Sequence, residues 1–225
     1  SFDQVIVSVD ASFKGNKDSD LVAMQVWGFA GVNSYLCDRR TQRLDYAQTK
    51  HALRALIEKW AILGHPISAV LCEDKANGPA IISEMSSEFP LIPINPGADS
   101  KVSRTLAVAP QVEAGTVFIP EGADFDELID LLAKFPRARH DDDCDALSQA
   151  LTWRRKRQHG LLALWAQEIA AASQPSPGER PEPTAPQSAS QHQAEEQRFA
   201  DAAREEALAY VQAVTKQAWR AIRRP

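Results

Sequence analysis

The segment HDDDCDALSQAL, residues 140–151, places four aspartates in five consecutive positions and then runs directly into apolar residues. Carboxylates this close repel one another. Helix capping and the positive end of the helix dipole explain the first acids of such a run, but four exceed that need. Two more acidic positions end short apolar runs: Asp10 closes VIVSVD, and Glu73 with Asp74 closes ISAVLCED. On a helix, Asp142 and Asp145 share a face at a spacing of three, as do Asp141 and Asp145 at four. Acids gathered from distant positions are unfavourable together unless a cation lies between them. Mg2+ and Mn2+, hard ions that prefer oxygen ligands, are the natural candidates. A pair of them about 4 Å apart can activate water and stabilise the leaving oxygen in phosphodiester cleavage.

Such chemistry requires elements that bring these positions together. VIVSVD reads as a buried strand, followed by strands in LVAMQVWGFAG and VNSYLCD with Gly31 between them, an antiparallel meander. Residues 46–63 carry apolar residues at spacings of three and four, predicting an amphipathic helix that ends before Gly64 and Pro66. ISAVLCED is a candidate central strand, GPAIISEM a helix with Pro79 in its first turn, and LIPINP another strand. A helix over 100–114, a strand in TVFIP, and helices over 124–135 and 141–157 complete the pattern. The expected fold is α/β: a mixed sheet of five strands or slightly more, with helices on both faces. In α/β folds ligand sites gather at the ends of central strands.

Composition sets the boundaries of the reading. The formal net charge of −5 does not mark a general nucleic-acid binder, but seven of the acids lie in the groups just named, where metal ions would change the local field. Cys37, Cys72 and Cys144 form no CxxC pair, which points to a reducing, cytosolic setting. No apolar run approaches the roughly 20 residues that span a bilayer, and no signal peptide opens the chain. The chain enters an apolar run almost at Ser1, the pattern of a piece trimmed from a longer parent. After residue 157 its character changes. The expected organisation is a catalytic domain over 1–158, a helical extension over 159–172, a disordered Pro/Ser/Gln-rich linker over 173–193 and an amphipathic helical tail over 194–225.

Taken in order, VSVDASF, LCEDKANG, SKVSRTLAVAPQVEAGTVFIP and HDDDCDALSQAL resemble the nuclease domain of the large terminase subunit of tailed bacteriophages, a branch of the ribonuclease H-like superfamily. The resemblance covers about residues 3–157. It implies a metal-dependent endonuclease that cuts double-stranded DNA during genome packaging, in the cytoplasm of the bacterial host, with an ATPase domain, portal and small terminase subunit as partners and no membrane. It places the acidic triad on Asp10, Glu73 and Asp142 and matches Asp145 to a second helix acid, a further metal ligand, with Asp141 the other member of the pair that opens the motif. Asp141, Asp74 and His140 are candidate supporting residues, and for His140, which could assist proton transfer or bind the ions, capping or packing is the competing reading. The chain departs from the full-length pattern in having no GxxxxGK[ST] phosphate loop.

In this setting Lys101 and Arg104, three apart on one helix, are candidates for holding DNA phosphates, as are Lys14 and Lys17; a solvated surface is the competing reading for each pair. Asp18 or Asp20 is a candidate outer-sphere acid. The cluster Arg154 to Arg157 suits either a helix dipole or a duplex backbone. Gly78 is expected to allow a sharp turn after Glu73. Rival readings are a junction resolvase or transposase of the same superfamily and an inactive module that binds DNA or a capsid component. A His-Asp phosphohydrolase would need further histidines at ligand spacings, and His51, His65, His159 and His192 supply none. A sugar-transferase reading of the aspartates lacks a nucleotide-binding companion.

Overall fold

The computed structural model describes residues 1–11, 20–74, 78–138 and 140–172. Lys14, Lys17 and Asp18, the side chain of Asp20, and the expected linker and tail lie outside the described residues. Among the described residues, those through Trp153 form one compact unit, and residues 154–172 belong to a second.

Six strands are described: β1 (Gln4–Ala11), β2 (Asp20–Ala30), β3 (Asn33–Leu44), β4 (Ala69–Glu73), β5 (Leu91–Ile94) and β6 (Val117–Phe118). They form one sheet in the order β5-β4-β1-β2-β3-β6. β1, β2 and β3 make the expected antiparallel meander, while β4 pairs parallel with β1 and with β5, and β6 pairs parallel with β3. The helices are α1 (Tyr46–Ile62), α2 (Gly78–Met85), α3 (Lys101–Leu106), α4 (Ala109–Glu113), α5 (Ala123–Lys134) and α6 (Asp142–Ala172). The sheet is thus the slightly larger alternative, with β6 added at its edge.

Alternation along the strands sends successive side chains to opposite faces. Ile6, Trp27, Phe29, Leu36 and Leu71 pack with Leu128 and Leu132 of α5 and Leu147 and Leu151 of α6. Val7, Val9, Met24, Val26 and Val70 pack on the other face with Leu53, Leu56 and Trp60 of α1 and Ile81 and Met85 of α2. Burial of each such side chain contributes about 1.5–3 kcal/mol. Two covered faces explain why β1 and β4 read as continuous apolar runs.

Three local expectations are corrected. The single helix over 100–114 is two short helices, because Pro110 has no N–H to bond back to the carbonyl of Leu106. The strand in TVFIP is cut to Val117–Phe118, before Pro120. β3 runs six residues beyond Asp38 to Leu44 and contains a bulge: Val26 pairs with Asp38 but Trp27 with Leu36, leaving Cys37 over. The extra residue reverses the alternation. Before it, Leu36 faces α5 and α6; after it, Arg39 and Thr41 face that way, and Asp38 turns towards α1, where it accepts a 3.2 Å hydrogen bond from Trp60 Nε1.

Candidate active site

Asp10 stands near the C-terminal end of β1 and Glu73 ends β4. The parallel register pairs Val9 with Cys72, so the two acids follow side by side. They share the face of Ile6, Ser8 and Leu71, the face covered by α6. The start of α6 is pinned over these strands by polar groups inside the core. Ser8 Oγ donates to the carbonyl of Ala146 at 2.7 Å, and Gln149 Nε2 donates to Ser8 Oγ at 2.9 Å and to the carbonyls of Val9 and Leu71, both at 3.3 Å. Asp142, Asp143 and Asp145 occupy the first turn of α6, where the helix dipole favours negative charge.

The four helix-start aspartates do not act alike. Asp143 turns away from the other acids into a buried clasp. Arg39 grips it with two bonds, Nε to Oδ1 at 3.0 Å and Nη2 to Oδ2 at 2.7 Å, and Thr41 Oγ1 donates to it at 2.9 Å. Gln25 Nε2 donates to its Oδ1 at 3.1 Å and to its backbone carbonyl at 2.9 Å, while Trp27 Nε1 donates to Gln25 Oε1 at 3.1 Å. The side chains of Arg39 and Asp143 are 5% and 2% exposed. Asp145, also buried, takes one cation on each oxygen: Lys101 Nζ at 2.6 Å from Oδ2 and Arg104 Nη2 at 2.7 Å from Oδ1. Lys101 Nζ reaches Asp141 Oδ2 as well, at 2.8 Å. The two residues expected on DNA phosphates are therefore seated on carboxylates at the start of α6.

Asp10 is the electrostatic centre. Burial pushes its carboxyl well above the usual carboxylate range, and the charges of Asp145, Asp142 and Glu73 push it further, against a smaller opposing pull from Lys101. Burial also raises Asp142, with Asp141 adding to the shift, while a hydrogen bond from its own backbone N–H and the charges of Lys101 and His140 oppose it. His140 and Asp141 are half-buried beside this group, whereas Asp74 is exposed and uses its backbone N–H on the carbonyl of Ile94 at 2.9 Å. Burial and the neighbouring acids push the Cys72 thiol up to about 12, so it stays protonated and offers no thiolate.

Gly78 has a role more specific than turn formation. A Cβ at this position would stand 1.7 Å from the carbonyl oxygen of Glu73, so only glycine lets the first turn of α2 close against the end of β4.

Among the described residues no three His, Cys, Asp or Glu side chains already stand as an ion-holding group. The donor chemistry nevertheless fits a hard divalent cation: Asp10, Glu73 and Asp142 offer only oxygen, and the Asp10 carboxyl, raised first by burial and then by the neighbouring acids, is one whose charged form a cation would favour. The family model of the terminase RNase H-like domain matches residues 7–153. The chain belongs to that family.

Three solved structures are similar to this terminase RNase H-like domain. The large terminase nuclease of thermophilic phage G20c with bound magnesium is 20% identical, covering 67% of this chain and 82% of that one at a TM-score of 0.47. T. thermophilus RuvC in complex with a Holliday junction substrate is 16% identical, covering 70% and 96% at 0.42. The Fowlpox virus resolvase in complex with Holliday junction DNA is 14% identical, covering 68% and 98% at 0.44. No curated protein matches the sequence.

Sequence reasoning missed Arg39, Thr41 and Gln25. One signal was present: Gln25 and Ser8 are polar residues inside otherwise apolar strands, and a buried polar side chain implies a partner elsewhere. Nothing local marked Arg39, because the bulge at Cys37 decides which face it meets.

Proposed function

We propose that this terminase RNase H-like domain is a divalent-metal-dependent endonuclease that cuts double-stranded DNA during phage genome packaging. Asp10, Glu73 and Asp142 would hold Mg2+ or Mn2+, with Asp145 as a further ligand for the second of two ions. The observation that carries the reading is the placement of Asp10 beside Glu73 on one face of two adjacent parallel strands, under a helix start that carries Asp142, with the Asp10 carboxyl raised by burial and by these neighbours. When bound, such ions supply an activated water and stabilise charge on the leaving oxygen. The protein's own contribution is placement: the register of β1 and β4 sets the spacing of the first two acids, and the Ser8 and Gln149 bonds set the height of α6 above them. Asp143, held by Arg39, anchors the helix turn and stays out of the chemistry.

DNA would be held chiefly through phosphates. Lys101 and Arg104 lie beside the acids, and Lys14 and Lys17 follow β1 in sequence. An ATPase domain, a portal and a small terminase subunit are the partners that packaging requires, in the cytoplasm of the bacterial host. Among the described residues no helix is long and apolar enough to cross a membrane.

The test is incubation of the purified chain with supercoiled plasmid, with and without Mn2+ or Mg2+. Nicking and linearisation that need the metal and disappear in Asp10→Asn, Glu73→Gln and Asp142→Asn are expected, each variant remaining folded in EDTA. Asp145→Asn should weaken cleavage and raise the Mn2+ requirement. Cleavage retained by any triad variant removes that residue from the site. Four-way junctions cut far faster than linear duplex would replace the packaging reading with a resolvase.

A further inference from the structure

α3 begins with Ser100 Oγ accepting from the N–H of Ser103 at 3.1 Å, and its residues Lys101 and Arg104 project one turn apart towards the start of α6. Both end on Asp145, each on a different oxygen, and Lys101 Nζ also spans to Asp141. Neither oxygen of this buried carboxylate is therefore available to a divalent ion as it stands. The two cations differ in how easily they can leave. The Lys101 side chain is 47% exposed, on a flexible stem that can carry its ammonium out to water, whereas the Arg104 side chain is 20% exposed.

We propose that the Lys101 ammonium is a tethered cation that fills the place of a second divalent ion between Asp141 and Asp145, and must withdraw before that ion binds. The proposal rests on the metal-binding reading of Asp10, Glu73 and Asp142. Among the described residues, no basic side chain is paired with the carboxylates that the first ion meets; the second meets a carboxylate that must first give up a charged hydrogen bond. Divalent binding is thereby split into a stronger and a weaker step. Asp145 remains compensated while no metal is present, which keeps this buried carboxylate from standing unpaired.

The experiment is Mn2+ titration of the full chain without DNA, followed by calorimetry and by the electron paramagnetic resonance signal of free Mn2+. Wild type is expected to bind one ion, with a second only at much higher concentration. In Lys101→Met the weaker step should tighten by about tenfold or more, the scale of a charged hydrogen bond that no longer has to be broken. Lys101→Arg, which keeps a cation on the same carboxylates, should behave as wild type. Thermal melts in EDTA confirm that each variant is folded. Coincident isotherms for wild type and Lys101→Met, or two equally tight ions in wild type, overturn the tethered-cation proposal while leaving the metal site standing. If Asp10→Asn instead leaves wild-type Mn2+ binding unchanged, the metal reading itself falls, and this proposal with it.

Discussion

The clasp on Asp143 makes a quantitative prediction. Arg39→Met removes the guanidinium and keeps most of the apolar stem, leaving a carboxylate 2% exposed whose remaining side-chain donors among the described residues are Thr41 and Gln25. Loss of one partner of a buried ion pair costs about 3–5 kcal/mol, because the remaining charge is uncompensated. The contact from Arg39 to Glu127 adds little to that figure, since Glu127 is 68% exposed and its pairing is screened by water. For a domain of this size each kcal/mol moves the melting temperature by about 2–4 °C, so a fall of about 6–20 °C is expected. The double variant Arg39→Met/Asp143→Leu replaces both charges by apolar groups and should recover a large part of the loss, which is the signature of a direct pair in a double-mutant cycle. Urea unfolding followed by circular dichroism measures all four corners. The reasoning is refuted if Arg39→Met lies within about 1 kcal/mol of wild type, or if the two single losses simply add in the double variant. A further consequence concerns the site: Asp143 anchors the turn that carries Asp142 and Asp145, so Arg39→Lys, which retains the charge but not the two-pronged grip, should weaken Mn2+ binding more than it weakens the fold.

The remaining predictions are shorter. The folded Asp10 carboxyl lies above its unfolded value, so the folded state binds more protons across that interval. The stability of the metal-free protein should therefore fall as pH rises from the ordinary carboxylate range through the raised folded value. Asp10→Asn should remove this part of the dependence, and melts in EDTA across pH against wild type would read it; parallel curves would refute it. Gly78→Ala would place a methyl carbon 1.7 Å from the Glu73 carbonyl oxygen, forcing β4 and α2 apart. A loss of about 1–3 kcal/mol is expected, with a raised Mn2+ requirement for cleavage, and wild-type values for both would show that the segment can relax freely. DNA binding should be indifferent to sequence and weakened by salt, each lost phosphate contact reducing the log–log slope by about 0.9. Sequencing of cut ends should then show no dominant site.

Strand and helix order, and the positions of the acids, were legible in the sequence because they depend on short-range patterns. The apolar runs before Asp10 and Glu73 reveal strands buried on both faces, and acids at their ends sit where such sheets gather ligands. Gly78 was marked by its place directly after LCEDKAN, although its closeness to the Glu73 carbonyl was not. The roles of the individual aspartates in DDDCD could not be read the same way. Three helical neighbours of one residue type are distinguished only by what each one faces. Asp143 meets Arg39 across 104 positions of chain, and Asp145 meets Arg104 across 41. The first contact further depends on one unpaired residue, Cys37, whose bulge turns Arg39 and Thr41 to the α6 face and Asp38 to the α1 face. A one-residue change of register reverses every side chain beyond it without leaving a trace in composition or periodicity. The chemistry available to this protein was written in its residue types; which carboxylate anchors the helix, which is held by Lys101 and Arg104, and which carry no such cation among the described residues was decided only when the sheet, α3 and α6 packed together.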